Sequence, residues 1–382
     1  MKITVITSGR QDWGILRNPV KKLISDEFFD ISIVAAGMAC SKKFGNIADV
    51  IEEEGYPLVK RLDWDLDQEM YKQTSDALRL SGEYLAEFKP DALILLGDRF
   101  ETLGFAQAAF FLRIPIIHLH GGEETQGAVD NQIRHAITKL SNIHFVSCRL
   151  HAERIAQMGE NPDFIFDVGA PGLDNMHRVD LPAISDVLDS LNLKYDIEDY
   201  LFLVTYHPPT ALGNPKEEFG FLLDAIEYFA GIFILTMPNN DSGGNTIYKM
   251  AEEFVSEDSS KRVLVNALGE KRYWTILKNA DVVIGNSSSG IIEAPAVPVP
   301  VVNIGKRQKG RLTASCIVNV EEPKSSDDII NAIQQTISRE FKETLQECNS
   351  PYGDGHSSQK IVDILKELDL DKSIYKSFHS IK

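Results

Sequence analysis

Residues 90–123 read PDALILLGDRFETLGFAQAAFFLRIPIIHLHGGE. Two apolar runs, DALILLG (91–97) and IPIIHLH (114–120), flank a helical stretch. Neither run alternates apolar with polar residues. A continuous apolar strand is buried on both faces, which is the mark of a parallel sheet covered by helices. Each run also stops abruptly in polar residues: Gly97-Asp98-Arg99-Phe100-Glu101 after the first, His120-Gly121-Gly122-Glu123 after the second. Open parallel sheets bind ligands beyond the carboxyl ends of their strands, so chemistry is expected at these positions.

The same rhythm continues in both directions. ITVIT (3–7), FDISIVA (29–35), IHFVS (143–147) and FIFDVG (164–169) complete a first set of strands. A polar segment at 170–199 interrupts it. YLFLVTY (200–206), GIFILTM (231–237), RVLVNA (262–267), ADVVIG (280–285) and VPVPVVNIG (297–305) then form a second set. Strands alternating with helices predict an α/β protein of two Rossmann-like, doubly wound domains. We place them at 1–172 and 173–356, with a hinge near 170–180. The closing segment 357–382, with a helix over about 357–368, can pack on either domain and is grouped with the first.

A length of 382 residues agrees with two domains. Hydrophobic residues make up 43% and charged residues 25%, an ordinary composition for a folded chain. With 39 basic and 56 acidic side chains the net charge is −17. That balance argues against broad binding to nucleic acid or an anionic membrane, while leaving room for a local basic pocket. No signal-peptide h-region follows Met1 and no run of about 18 apolar residues occurs, so a cytoplasmic protein is expected. Cys40, Cys148, Cys316 and Cys348 include no C-x-x-C pair, which suits reduced thiols.

The strand-end loops carry the remaining candidates. Arg10, Asp12 and Trp13 follow the first strand; Asp130 and Arg134-His135 lie downstream of Glu123. In the second half, His207-Pro208 follows 200–206, and Asn239 follows 231–237. Gly285-Asn286-Ser287-Ser288-Ser289-Gly290 precedes a helix carrying Glu293. Small residues let the backbone approach an anion, hydroxyls add donors, and a helix N-terminus favours negative charge, so 285–290 is the best phosphate candidate. Lys306, Arg307, Lys309 and Arg311 supply positive charge nearby. No Walker A motif and no G-x-G-x-x-G after the first strand is present, which disfavours P-loop ATP and NAD(P) sites. G-x-S-x-G is absent as well. His118-x-His120 could begin a metal site with Glu123 or His135, but strand ends need polar residues anyway, and neither metal nor cofactor is expected.

Arg10-x-Asp12, Gly97-Asp98-Arg99-Phe100-Glu101, GGEETQGAVDNQIRHAITKLS (121–141), His207-Pro208, GNSSSGIIEAP (285–295), NIGKRQKGR (303–311) and YGDG (352–355) together are similar to one family. The chain resembles the hydrolysing UDP-N-acetylglucosamine 2-epimerases of bacterial sialic-acid and related nonulosonate biosynthesis, and the epimerase domain of the bifunctional animal enzyme. The resemblance implies a glycosyltransferase-B-like fold of two domains facing across a cleft that holds the sugar nucleotide. It implies phosphate binding at Ser287 and Ser288, ribose at Glu293, and Arg10 near the phosphates. It assigns chemistry to Asp98, Asp130 and His207, with Glu123 in the same loop. Asp12, Arg99, His120, Arg134, Asn239, Ser289, Gly290, Lys306 and Arg311 complete the substrate-binding set. His120 stands where distant relatives have Glu, and Arg-Gln-Asp-Trp-Gly replaces the commoner Arg-Ala-Asp-Tyr/Phe.

The implied reaction is anti elimination of UDP to a 2-acetamidoglucal, then syn addition of water, releasing N-acetylmannosamine and UDP. Alternatives are the same reaction on UDP-2,4-diacetamido-2,4,6-trideoxyglucose, a non-hydrolysing epimerase, and a glycosyltransferase or non-catalytic binder of the same fold. The expected partner is a small UDP-sugar, and the family implies a homodimer or homotetramer.

Overall fold

The apolar runs become strands, and alternate residues of each strand enter opposite cores. The first set comprises β1 (Lys2–Thr7), β2 (Asp30–Ala36), β3 (Leu58–Leu62), β4 (Ala92–Leu96), β5 (Ile116–Leu119), β6 (Ile143–Val146) and β7 (Ile165–Asp167). They form one sheet in the order β3-β2-β1-β4-β5-β6-β7, with every neighbour parallel. Val5, Ile33, Ile94 and Ile117 face one core, against Trp13, Leu16 and Val20 of helix Arg10–Ile24. Ile6, Val34, Leu95 and Ile116 face the other, against Ala77 and Leu85 of helix Met70–Phe88 and Phe105 of helix Phe100–Phe111. Burial on both faces is what the unbroken apolar runs require.

The second set is β8 (Tyr200–Thr205), β9 (Gly231–Thr236), β10 (Arg262–Val265), β11 (Val282–Gly285), β12 (Val301–Ile304) and β13 (Ile317–Val320), in the order β10-β9-β8-β11-β12-β13 and again all parallel. Phe202, Val204, Phe233, Ile284 and Ile304 pack under Phe219, Leu222 and Ile333. In each sheet the order reverses beside the first strand of its set, and there the carboxyl ends diverge to leave a crevice. This is the two-domain α/β architecture expected from the sequence.

The computed structural model describes residues 1–124, 130–196, 198–208, 214–236, 244–266 and 268–380. The chain divides into one unit of Met1–Asp174 with Gly353–Lys382, and a second of Asn175–Tyr352. The first unit is therefore discontinuous, and its closing helix is built into it. Ile361, Val362 and Leu365 of helix Ser357–Glu367 join the core beneath helix Arg10–Ile24. The Asp174 carboxylate accepts from the backbone N–H groups of Ser357 (2.9 Å) and Ser358 (2.8 Å), satisfying donors that a helix start leaves open. Further on, Lys376 and Lys139 each reach the buried Glu160 at 2.5 Å, and His144 reaches it at 3.2 Å. Burial alone would raise the Glu160 carboxyl, but these three donors outweigh it and hold it down at about 2.

No helix among the described residues is long and apolar enough to cross a membrane. Leu365 is fully buried. Its replacement by Ala removes side-chain volume where the closing helix meets the first, and is expected to cost about 2–5 kcal/mol. The urea midpoint of unfolding should fall accordingly; an unchanged midpoint would mean that the helix contributes nothing to this core.

Candidate active site

In the first unit, three neighbouring strands deliver polar groups at their carboxyl ends. After β4, Gly97 turns the chain with φ 75°, and Asp98 and Arg99 lead into helix Phe100–Phe111. Asp98 pairs with Arg134, which lies in helix Asp130–Leu140. Burial raises the Asp98 carboxyl; Arg134 opposes that rise, while the nearby charges of Asp130 and Glu123 add to it. Glu123 and Asp130 therefore lie near enough for their charges to act on Asp98. Beside them Arg99 donates to Glu101 at 2.8 Å. Glu101 is completely buried, and its second oxygen finds no partner among the described residues.

Beyond β5 the chain makes a strained turn. His120 has φ 61°, unusual for a residue with a side chain, and Gly122 follows with φ 74°. A Cβ on Gly122 would lie 2.5 Å from the carbonyl oxygen of His151, so only glycine fits. Arg154 donates to the Gly122 carbonyl and fastens the turn to helix Arg149–Gln157. The turn brings Glu123 Oε1 within 2.5 Å of His120 Nδ1 and 3.2 Å of Ser147 Oγ. His118, within β5, is fully buried with Nε2 2.8 Å from the Gly97 carbonyl oxygen and Nδ1 3.3 Å from Thr138 Oγ1. No metal-type cluster of three His, Cys, Asp or Glu occurs among the described residues.

After β1, Arg10 is exposed at the start of its helix. Asp12 turns back to accept from the Ser8 hydroxyl at 2.6 Å and the Ser8 N–H at 3.1 Å. Its contacts are those of a helix-start anchor that shapes the loop holding Arg10.

In the second unit Asn286 organises the rim. Its side chain accepts from the His207 N–H at 2.7 Å and donates to the His207 carbonyl at 2.8 Å. Its own carbonyl accepts from Gln308 (2.7 Å) and Arg307 (3.1 Å). The ends of β8 and β11 and the loop after β12 are thus tied together at one residue. Gly285 has φ 132°, and a Cβ there would lie 2.0 Å from the Thr205 carbonyl oxygen. Ser287 caps helix Ser288–Ile292 by accepting from the Ser289 N–H at 3.3 Å. That helix is only five residues long, so its dipole is small, and the loop's hydroxyls and N–H groups are the main donors. Gly290 is buried, and Ser287 and Ser289 line a small depression with Thr205 and Asn303. Tyr273 donates to Glu293 at 2.9 Å and also meets Ser289. Burial raises the Glu293 carboxyl, against the pull of Ser289 and Tyr273.

Lys306 and Lys309 do not form a free basic patch. They are exposed and paired with Glu322 and Glu321. Arg307 and the buried Gln308 are the members of that run bonded to the loop, and Arg311 is half-buried. Asn239 lies outside the described residues. Sequence reading missed Glu101, Ser147, Asn286, Gln308 and Tyr273 as partners. Asn286, Glu101 and Gln308 stood inside quoted motifs, but no such motif marks Ser147 and Tyr273.

The first rim brings together carboxylates, an arginine and a largely buried histidine–carboxylate pair, groups able to accept and return protons. The second rim, with hydroxyls and backbone donors on a Gly-Asn-Ser loop, suits an anionic ligand. Comparison with known proteins narrows the class. The family model of UDP-N-acetylglucosamine 2-epimerase matches residues 21–366. The chain is 34% identical to the GDP/UDP-N,N'-diacetylbacillosamine 2-epimerase (hydrolyzing) of Campylobacter jejuni, covering 99% of this chain and 98% of that protein. It is 33% identical to the UDP-N,N'-diacetylbacillosamine 2-epimerase (hydrolyzing) of Legionella pneumophila, covering 98% and 97%. Among solved structures, the S. aureus MnaA–UDP co-structure superposes with a TM-score of 0.77 at 19% identity over 96% of each chain. The chain belongs to the UDP-N-acetylglucosamine 2-epimerase family.

The buried imidazole of His118 makes one behaviour predictable. Burial lowers its folded-state value to about 3, below the 6.5 of a free imidazole. Its contribution is therefore complete above pH 6.5 and is lost as pH falls towards 3, because the unfolded chain takes up the proton first. In His118→Asn, stability measured from pH 6.5 down to pH 4 should fall less steeply than in the wild type, by up to about 1.4 kcal/mol per pH unit. Parallel curves would mean that His118 is not a neutral buried group.

Proposed function

We propose that the chain is a hydrolysing 2-epimerase that converts a UDP-activated 2-acetamido sugar and water into UDP and the free 2-epimeric sugar. The observation that carries the reading is Asp98, paired with Arg134, pushed up by burial and by the nearby charges of Asp130 and Glu123. Elimination requires a base to take the proton from C2 while UDP departs from C1. Hydration requires an acid to return a proton to the other face of C2. Carboxyl groups held at different protonation states can divide those tasks. In this reading His207, whose backbone is fixed by Asn286, stands with the acid–base groups. The departing diphosphate is stabilised by Arg10 and by Ser287, Ser288 and the N–H groups of 285–290, with Glu293 receiving the ribose hydroxyls. Arg99, Arg134 and His120 contact the sugar or its phosphates. Lys306 has the weakest claim, since Glu322 already holds it.

For the sugar, the two hydrolysing relatives at 34% and 33% identity favour UDP-N,N'-diacetylbacillosamine, the 2,4-diacetamido-2,4,6-trideoxyglucose nucleotide. UDP-N-acetylglucosamine, the substrate implied by the resemblance, is the second reading and is favoured by the family's own description. Both sugars carry the 2-acetamido group and the C2 proton, so the chemistry is common and only the C4 and C6 surroundings differ.

Each nucleotide sugar incubated with the full chain and followed by NMR tests this. Free 2,4-diacetamido-2,4,6-trideoxymannose with UDP is the expected result, free N-acetylmannosamine supports the second reading, and a UDP-bound epimer or no turnover overturns hydrolytic epimerisation. Asp98→Asn should lower kcat by about 10²–10⁴-fold, and Lys306→Ala should leave kcat within about twofold, as expected of an exposed ion pair. Normal turnover by the Asp98 variant would remove that residue from the chemistry.

A further inference from the structure

Glu123 is held by residues that no motif marks. Ser147 ends the run after β6 and is almost fully buried, as is His151 in the first turn of helix Arg149–Gln157. Ser147 Oγ lies 3.2 Å from Glu123 Oε1 and 2.9 Å from His151 Nδ1. A hydroxyl has one proton. With that proton donated to the carboxylate, Ser147 must accept the Nδ1–H of His151, which fixes the imidazole tautomer and the hydroxyl rotamer together. His120 Nδ1 approaches the same carboxylate oxygen at 2.5 Å. Two bonds converging on Oε1 restrict how the carboxylate can turn.

The backbone imposes the same registration. Gly122, the residue before Glu123, lies against the His151 carbonyl so closely that a Cβ would intrude. The loop carrying the acid–base carboxylate and the helix carrying His151 therefore cannot shift independently. Because β5 and β6 are parallel neighbours, with His118 opposite His144 and Leu119 opposite Phe145, their carboxyl ends deliver Glu123 and Ser147 to adjacent positions.

We propose that Ser147 and His151 are positioning residues for Glu123: a buried serine–histidine pair that fixes the carboxylate orientation in which it exchanges a proton with the sugar. This rests on the epimerase reading above. Neither residue touches substrate in this assignment, so their loss should act on the chemical step and leave nucleotide binding intact. Misorientation of one catalytic group costs about tenfold to a hundredfold in rate.

The test uses the full chain with Ser147→Ala, Ser147→Thr and His151→Gln. It measures kcat and KM for UDP release, deuterium incorporation at C2 from D2O, the Kd for UDP and the thermal midpoint. Ser147→Ala and His151→Gln should lose kcat and C2 exchange together by about tenfold or more, with KM, UDP affinity and thermal midpoint close to wild type. Ser147→Thr, which retains the hydroxyl, should recover most of the rate. An active wild type with undiminished kcat in Ser147→Ala overturns the inference alone. So does a loss of kcat that travels with lost thermal stability and UDP affinity in both Ser147→Ala and His151→Gln. A wild type inactive on both nucleotide sugars overturns the epimerase reading, and the inference with it.

Discussion

A strand paired on both edges and covered by helices on both faces admits a polar side chain in its interior only where that group is hydrogen-bonded, and otherwise at its ends. In a parallel sheet every carboxyl end lies on one rim, so the polar residues excluded from the interior accumulate there. Both sheets of this protein obey that constraint. Val5, Ile94 and Ile117 face one core and Ile6, Leu95 and Ile116 the other; the polar residues inside these strands, Thr4, Thr7 and His118, are fully buried, and the polar loops begin at Ser8, Gly97 and His120. The active-site candidates are concentrated by the same force that builds the cores.

Concentrating them creates an electrostatic problem that each rim solves with neighbours. On the first, Arg134 offsets part of the mutual repulsion of Asp98, Glu123 and Asp130, and the Asp98 carboxyl still ends above its ordinary value. On the second, positive charge is kept close by geometry more than by number. Of the basic run after β12, two lysines are satisfied by Glu321 and Glu322, while Arg307 and Gln308 turn to the Asn286 carbonyl. In a chain of net charge −17 acids outnumber cations, so a ligand anion depends on the donors fixed in place at the rim.

The strands and rim loops were legible because two-face burial writes a continuous apolar run and its polar stop into neighbouring residues. Asp98, Glu123, His207 and the 285–290 loop could be found that way. What could not be read was who holds whom. That Asp12 accepts from Ser8, for example, depends on which way one side chain turns. Ser147 and Tyr273 carry no local signature, because their partners are 24 and 20 residues away in sequence. The helix expected to carry Glu293 instead ends at Ile292, with Glu293 as its C-cap and a further turn at Ala294–Ala296.

The discontinuity of the first unit bears on how the protein is made. Its core remains open until Ile361, Val362 and Leu365 have been synthesised, and Asp174 waits for the N–H groups of Ser357 and Ser358. By then all of Asn175–Tyr352 has been synthesised and has its own complete sheet. Order of synthesis therefore runs against order of completion: every strand of the second unit precedes, along the chain, the helix that completes the core of the first.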